Sequence, residues 1–229
     1  MTLKTITVER DVQARARQDA AAQRAEFSRR GVLVVNLMSS PGAGKTSLLE
    51  ATARHWEGRH RMAVLVGDLA TDRDARRLAP LTPVVQLTTG GACHLDLPLV
   101  QRGLDRLETS DCEFLFIENV GNLVCPASHD LSEHLRVIVL STTEGDDKPG
   151  KYPKAFRTSQ VMVVSKLDLL PYVPFSMEAA VADAKLIQPQ IETVPVCALD
   201  GRGIAEWCAL LESARNELLA TGHARIIRR

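Results

Sequence analysis

The sequence predicts an α/β fold: a mostly parallel seven-stranded sheet flanked by helices, with an N-terminal helix in front of it. Three observations predict it. From Gly31 onward, short β-branched runs alternate with helical stretches, the order that builds a parallel sheet with right-handed crossovers. Several runs are nearly continuous in apolar residues, as strands buried on both faces must be. Residues 1–30 contain no Gly and no Pro and stand outside this alternation.

In that first stretch Ala14, Ala16, Ala20, Ala21, Ala22 and Ala25 are mixed with Arg, Gln, Asp and Glu. This composition predicts a polar helix over residues 9–29. Its apolar stripe is thin, so it is expected to dock on a partner or on its own domain. Residues 1–30 are thus one element and residues 31–229 one domain. Strands are predicted at 32–37, 62–66, 84–87, 114–118, 137–141, 161–165 and 191–196. Helices are predicted at 45–56, 95–107, 177–187 and 204–221. Ligands of such sheets bind beyond the C-terminal ends of the strands, so the loops there are where chemistry is sought.

Composition excludes several classes. The chain has 229 residues, 45% hydrophobic and 24% charged, which suits a globular domain with a substantial core. Lys and Arg number 28, matched by 28 Asp and Glu. No global field therefore steers it to nucleic acid or to an anionic membrane. No apolar run reaches the ~18–20 residues that span a bilayer. The first residues turn charged too early for a secretory leader. Five cysteines, Cys93, Cys112, Cys125, Cys197 and Cys208, are too few for a disulfide framework and predict a reducing, cytoplasmic setting.

The first strand runs into Ser39-Ser40-Pro41-Gly42-Ala43-Gly44-Lys45-Thr46-Ser47 and then a helix. The phosphate-loop pattern is G-x-x-x-x-G-K-[ST], with Ser39 here in place of the first Gly. Small residues let the N–H groups of Gly42, Ala43, Gly44 and the helix start curl around phosphate oxygens. Lys45 is expected on the β and γ phosphates and the Thr46 hydroxyl on Mg²⁺. The plain alternative is a Gly-rich turn with a stray lysine, but strand, loop and helix stand in the required order. This makes the domain a P-loop NTPase.

A later strand ends in Ser165-Lys166-Leu167-Asp168, close to the N-K-x-D that reads guanine. The Asp168 carboxylate can accept from guanine N1–H and the 2-amino group. Adenine offers neither donor, and leaving the carboxylate unpaired costs about 1–3 kcal/mol. The Lys166 stem can lie along the base. Ser165 replaces the Asn. Cys197-Ala198-Leu199 follows the next strand, where a backbone contact to the base is expected. Together these favour GTP over ATP.

Asp68 and Glu118 end two further strands, where carboxylates can hold Mg²⁺ directly or through water. For Asp68 the alternative is a helix-start acid. Glu118-Asn119-Val120-Gly121 stands where GTPases carry D-x-x-G, and the Gly121 N–H can follow the γ-phosphate. Cys93-His94 and Cys125 leave the sheet on the same edge. Two sulfurs and one imidazole suit Zn²⁺ or Ni²⁺, not Mg²⁺. A fourth ligand would come from water or a second copy, and His129 lies four residues past Cys125. By spacing alone, buried apolar thiols are the stronger explanation of these cysteines. Cys112, Cys197 and Cys208 show no such pairing.

Several stretches together resemble the hydrogenase nickel-incorporation GTPases, the HypB family. They are N-L-M-S-S-P-G-A-G-K-T-S-L-L, G-D-x-x-T-x-x-D-A-x-R, T-T-G-G-A-C-H-L-D, I-E-N-V-G-N-L-V-C-P-A and T-E-G-D-D-K-P-x-K-Y-P. The resemblance covers residues 31–212. It implies a GTP-dependent homodimer that hydrolyses GTP to GDP and delivers nickel to the large subunit of a [NiFe] hydrogenase, with a small zinc-containing chaperone of the HypA type. It implies Cys93, His94 and Cys125 as the Ni²⁺ or Zn²⁺ ligands at the dimer interface, and Thr46, Asp68 and Glu118 around Mg²⁺. It implies that Lys148 or Lys151 reaches the partner's nucleotide. Urease-type nickel-insertion GTPases are near relatives, but their Cys-Pro-His motif is missing here. Neither a His-rich tract nor a short N-terminal Cys motif is present, so nickel storage is not expected.

The residues permit a two-state switch in which nucleotide and soft cation sit on loops that run into each other. Without a catalytic Gln or arginine finger, turnover is expected to be slow. Two rivals predict otherwise. A P-loop kinase for a small metabolite prefers ATP, against Asp168. A scaffold that has lost hydrolysis binds metal regardless of nucleotide, against Lys45 and Thr46.

Overall fold

The computed structural model describes residues 8–109 and 111–224, with side chains from Ala14 onward. The opening residues 1–7, part of the start expected to be too charged for a leader, lie outside the described residues. Seven strands form one sheet: β1 (Leu33–Ser39), β2 (Met62–Asp68), β3 (Val84–Thr88), β4 (Phe114–Glu118), β5 (Leu135–Ser141), β6 (Val161–Ser165) and β7 (Glu192–Pro195). Their spatial order is β3-β2-β4-β1-β5-β6-β7, and every pairing is parallel. The sheet is therefore parallel throughout. β1 lies at its centre, flanked by β4 on one side and β5 on the other. Chain connections diverge from this point, which opens the crevice where such sheets bind ligands.

Alternation along β1 shows why the strand runs are apolar on both faces. Leu33, Val35 and Leu37 join the cluster built on α2 (Lys45–Trp56) and α8 (Ile204–Thr221). Val34 points the other way, to a cluster holding Leu65, Leu115, Ile117 and Val100 of α4 (Leu97–Leu104). A third cluster packs Ile138, Leu140, Met162 and Val164 against Phe156, Ala180 and Ala184. Trp56 stacks on Phe114 at 4.2 Å between ring centres. Its indole N–H donates to Glu212 (2.7 Å), and that of Trp207 to the Thr52 hydroxyl (3.0 Å). Burying each such aromatic contributes about 2–3 kcal/mol, and the satisfied N–H groups keep that gain.

The N-terminal helix α1 (Val8–Arg29) docks on its own domain. Ala20 and Phe27 are buried, the latter within the α4-side cluster. Arg24 pairs with Asp130 and donates to the Glu133 carbonyl (2.7 Å). Ser28 meets His134 Nε2 (3.0 Å), and the Val34 N–H donates to His134 Nδ1 (2.9 Å).

Some boundaries differ from the sequence expectation. The helix expected at 95–107 is α4, limited to Leu97–Leu104. Asp96 caps it by accepting from the Leu99 N–H (2.9 Å), which leaves Leu95 outside the helix and fully buried. Three short helices, α3 (Arg73–Leu78), α5 (Lys148–Lys151) and α6 (Pro153–Arg157), carry no periodic signal and were not expected. The remaining described α-helix is α7 (Met177–Ile187), and two 3-10 turns lie at Pro126–Ser128 and Leu167–Tyr172. No described helix is long and apolar enough to cross a membrane.

Candidate functional site

β1 ends at Ser39, and the loop turns through Gly42 (φ 73°) and Gly44 (φ 95°) into α2. Both glycines occupy the left-handed region, where a side chain would strain the turn. Lys45 is buried, and its amino group donates to the Ser39 hydroxyl (2.8 Å). Burial pulls the Lys45 pKa down, opposed by the charge of Glu118. Ser39 is therefore more than a small stand-in for glycine: it holds the lysine at the mouth of the loop. That role is absent from the linear pattern.

Register brings the acidic group in. Leu37 of β1 pairs with Glu118 of β4, which sets the carboxylate beside the first turn of α2. The Thr46 hydroxyl donates to Glu118 Oε1 (2.8 Å), while Oε2 is buried without a partner. Burial pushes the Glu118 pKa up to about 7, against the pull of Lys45 and Thr46. A half-satisfied buried carboxylate beside a hydroxyl is the donor set a hard divalent cation takes. Asp68 ends β2. Partial burial alone would raise its pKa, but hydrogen bonds from Thr71 and Ala70 (2.8 Å each to Oδ1) hold it below the usual range. Its carboxylate thus stays ionised and oriented. Gly121 lies against the phosphate loop: a Cβ there would stand 2.9 Å from Pro41 Cα.

A cavity of about 410 Å³ opens beside this loop, lined among others by Gly44, Ser47, Lys166, Asp168 and Ala198. The Ser165 hydroxyl donates to the Ala43 carbonyl (2.6 Å), tying the base segment to the phosphate loop. Lys166 adopts φ 61°, and the Thr142 hydroxyl donates to its carbonyl (2.9 Å). The Cys197 N–H is engaged by the Arg202 carbonyl (2.8 Å), and its thiol donates to Asp168 Oδ1 (3.2 Å). Arg77 on α3 also lines the cavity, forked onto Glu50 (2.7 and 3.1 Å) and touching the Ser47 hydroxyl (3.1 Å). Sequence reading assigned Arg77 no role. A second cavity, about 370 Å³, lies at the opposite end of β2 beside Met62, away from these loops.

The loop after β3 crosses the end of β2. The Thr89 N–H donates to the Asp68 carbonyl (3.1 Å), and Leu95 seats on Gly67, where a Cβ would meet its side chain at 2.8 Å. This crossing carries Cys93 and His94 to Cys125, which follows β4. The ligand atoms of Cys93, His94 and Cys125 all lie within 4.8 Å of one another, and the two sulfurs are 2.7 Å apart. The adjacent Cys93 sulfur pushes the Cys125 pKa up, and burial followed by His129 pulls that of His94 down. The His129 ring stacks on His94 at 3.8 Å, and its Nδ1 contacts the Cys125 carbonyl (3.0 Å). Two sulfurs and an imidazole in this arrangement fit a soft divalent cation. Cys112 and Cys208 lie elsewhere, and burial raises their pKa values to about 11 and about 12.

Residues 33–195 match the family model for the CobW/HypB/UreG nucleotide-binding domain. The hydrogenase maturation factor HypB of Azotobacter chroococcum mcd 1 is 46% identical over 218 residues, 94% of this chain and 71% of that protein. The chain belongs to the HypB hydrogenase maturation factors of this family. Solved HypB structures share the fold. That of Helicobacter pylori HypB, in complex with nickel, superposes with a TM-score of 0.85 at 32% identity, covering 94% of this chain and all of that one. That of Archaeoglobus fulgidus HypB gives 0.82 at 35% identity, covering 89% and all. Membership of this P-loop family implies nucleotide hydrolysis.

Proposed function

We propose that this HypB protein is a GTP-hydrolysing metallochaperone that holds Ni²⁺ or Zn²⁺ on Cys93, His94 and Cys125 and hands nickel on during [NiFe]-hydrogenase maturation. One observation carries the reading. The segment that starts at Glu118, bonded to Thr46, reaches Cys125 within the same loop, so phosphate and soft-cation sites share a rim.

The chain's groups divide the work. N–H groups of Gly42, Ala43, Gly44 and Ser47 would cradle the phosphates, and Lys45 would leave Ser39 for the β and γ oxygens. Thr46, Asp68 and Glu118 would hold Mg²⁺, which when bound neutralises charge developing on the phosphates. Asp168, oriented by the Cys197 thiol, would accept from guanine, while Lys166 covers the base and Ala198 presents backbone to it. Gly121 would sense the γ-phosphate through its contact with Pro41. Arg77 is held by Glu50 rather than extended toward the phosphates, and unassisted turnover would be slow.

A second copy would cover the rim, where Leu69 (47%) and Val124 (60%) are exposed beside the two sites. Lys148 suits the reach to the partner's nucleotide better than Lys151, which is tied to Asp147. A HypA-like chaperone and the hydrogenase large subunit are the expected partners, in the cytoplasm. The helix Val8–Arg29 would serve as a docked element of the domain that follows it.

Titrating Ni²⁺ into the protein loaded with GDP and with a non-hydrolysable GTP analogue tests the switch. The two affinities should differ, and by linkage Ni²⁺ should change nucleotide affinity by the same factor. Equal affinities would remove the switch, and preference for ATP would remove the GTPase.

A further inference from the structure

Between the two sites lies one side chain that neither uses. Asn119 follows Glu118 directly and is 1% exposed. Its own N–H donates to the Leu37 carbonyl of β1 (3.0 Å), fixing its backbone to the central strand. Its Oδ1 accepts two backbone N–H groups that belong to different loops. One is Val120 (3.0 Å), next to Gly121. The other is Leu95 (3.3 Å), the residue after His94. Two donors converge on this atom, so it is the carboxamide oxygen that faces them.

The other end of the amide is less settled. Nδ2 donates to Asn36 Oδ1 (3.3 Å), whereas the Asn36 Nδ2 is buried with no partner. A buried unpaired amide N–H is costly. A half-turn of both carboxamides would satisfy it, because the Asn36 Nδ2 could then donate to the Asn119 oxygen. The same turn takes that oxygen away from both Val120 and Leu95 and leaves their N–H groups facing the Asn119 Nδ2, so the turned arrangement is the costlier one while the two loops hold these positions. Two discrete arrangements of one buried pair thus differ in whether the Cys93–His94 loop is held.

We propose that the Asn119 carboxamide is the positioning group that couples nucleotide state to the soft-cation site. This inference rests on the switch reading of the function. Withdrawal of Gly121 from Pro41 displaces Val120, weakens one of the two bonds on Asn119 Oδ1 and favours the turned arrangement. Leu95 is released, and Cys93 and His94 lose their fixed placement relative to Cys125. Both sites bias one bistable pair, which is the physical requirement for coupling over this distance.

The test is the ratio of Ni²⁺ dissociation constants measured with GDP and with a non-hydrolysable GTP analogue, in wild type and in Asn119→Ala. The wild-type ratio should fall in the usual coupling range of about 5–150-fold, and Asn119→Ala should bring it to within about twofold of unity. GTP-analogue affinity without Ni²⁺ should change little, which a general loss of structure would not allow. Asn36→Leu provides a second route should Asn119→Ala fail to fold. It removes the donor of the turned arrangement together with the present acceptor of Asn119 Nδ2, so the Asn119 oxygen keeps its two backbone donors as its remaining partners and the ratio should likewise flatten. A wild-type ratio above one that survives in the folded variants overturns this inference alone. A wild-type ratio of one overturns the switch reading and this inference with it.

Discussion

Lys45, Thr46 and Glu118 are each no more than 7% exposed and stand where paired strands and the first turn of α2 place them. Cys93, His94 and Cys125 are half-buried and stand on loops after β3 and β4, two strands that β2 separates. On the phosphate side, ladder hydrogen bonds fix the geometry before any ligand arrives. On the soft-cation side, a handful of side-chain bonds do so: Leu95 to Asn119, His129 to Cys125, Arg24 to Asp130. The rigid side is suited to pre-organised chemistry and the loop-built side to change, since segments with few fixed contacts open at lower free energy.

The largest expected effect tests the rigid side alone. Lys45→Ala should lower GTP hydrolysis by about 10²–10³-fold, as loss of a charge-stabilising donor does, while Ni²⁺ affinity in the GDP state stays unchanged. Steady-state phosphate release and calorimetry read the two halves, and loss of both would mean the regions are not separable. Cys125→Ala is the mirror experiment. Ni²⁺ affinity should fall by about 100-fold or more, beyond the reach of a merely supporting residue, with GTP binding intact.

Acid should loosen the soft-cation side from behind. His134 backs the 125–134 loop, and burial followed by the charge of Arg24 pulls its pKa from 6.5 to about 4. The unfolded chain therefore binds the proton first. Stability from the neutral ring is complete above pH 6.5 and is lost as pH falls toward 4, on the order of 3 kcal/mol in all. Urea unfolding of wild type and His134→Asn across that range should show a flatter profile for the variant, whose amide oxygen can still accept from Val34. Parallel profiles would assign the acid sensitivity elsewhere. The smallest effect sharpens the role of His129. His129→Ala should weaken Ni²⁺ binding about tenfold, and His129→Phe should restore it if stacking on His94 is what matters. A ligand role would leave both variants equally weak.

Much of the rigid side could be read without coordinates. Strand, loop, Lys45 and Thr46 are contiguous, so local order reveals them. The apolar runs placed all seven strands to within about two residues at each end; β7 alone is shorter than its run, Ile191 and Val196 lying just outside the ladder. The short helices α3, α5 and α6 were not legible because pieces of this length are held by their surroundings rather than by their own propensity. The cluster of Cys93 with Cys125 was only one of two readings by spacing, because thirty-odd residues of intervening chain say nothing about distance. Ser39 on Lys45, Arg77 on Glu50 and Asn119 on Leu95 carried no signal of their own, and the four-residue spacing of His129 from Cys125 said nothing of its stacking on His94.

The sequence by itself determined the sheet, the phosphate loop and the identity of the groups able to take a soft cation. Those properties follow from periodicity and from residue chemistry, which are local. Only the tertiary structure decided that β2 lies between β3 and β4, so that the loop after β3 must cross its end to meet Cys125. Strand order is set by how the helices cover both faces of the sheet, a global outcome that no window of residues contains.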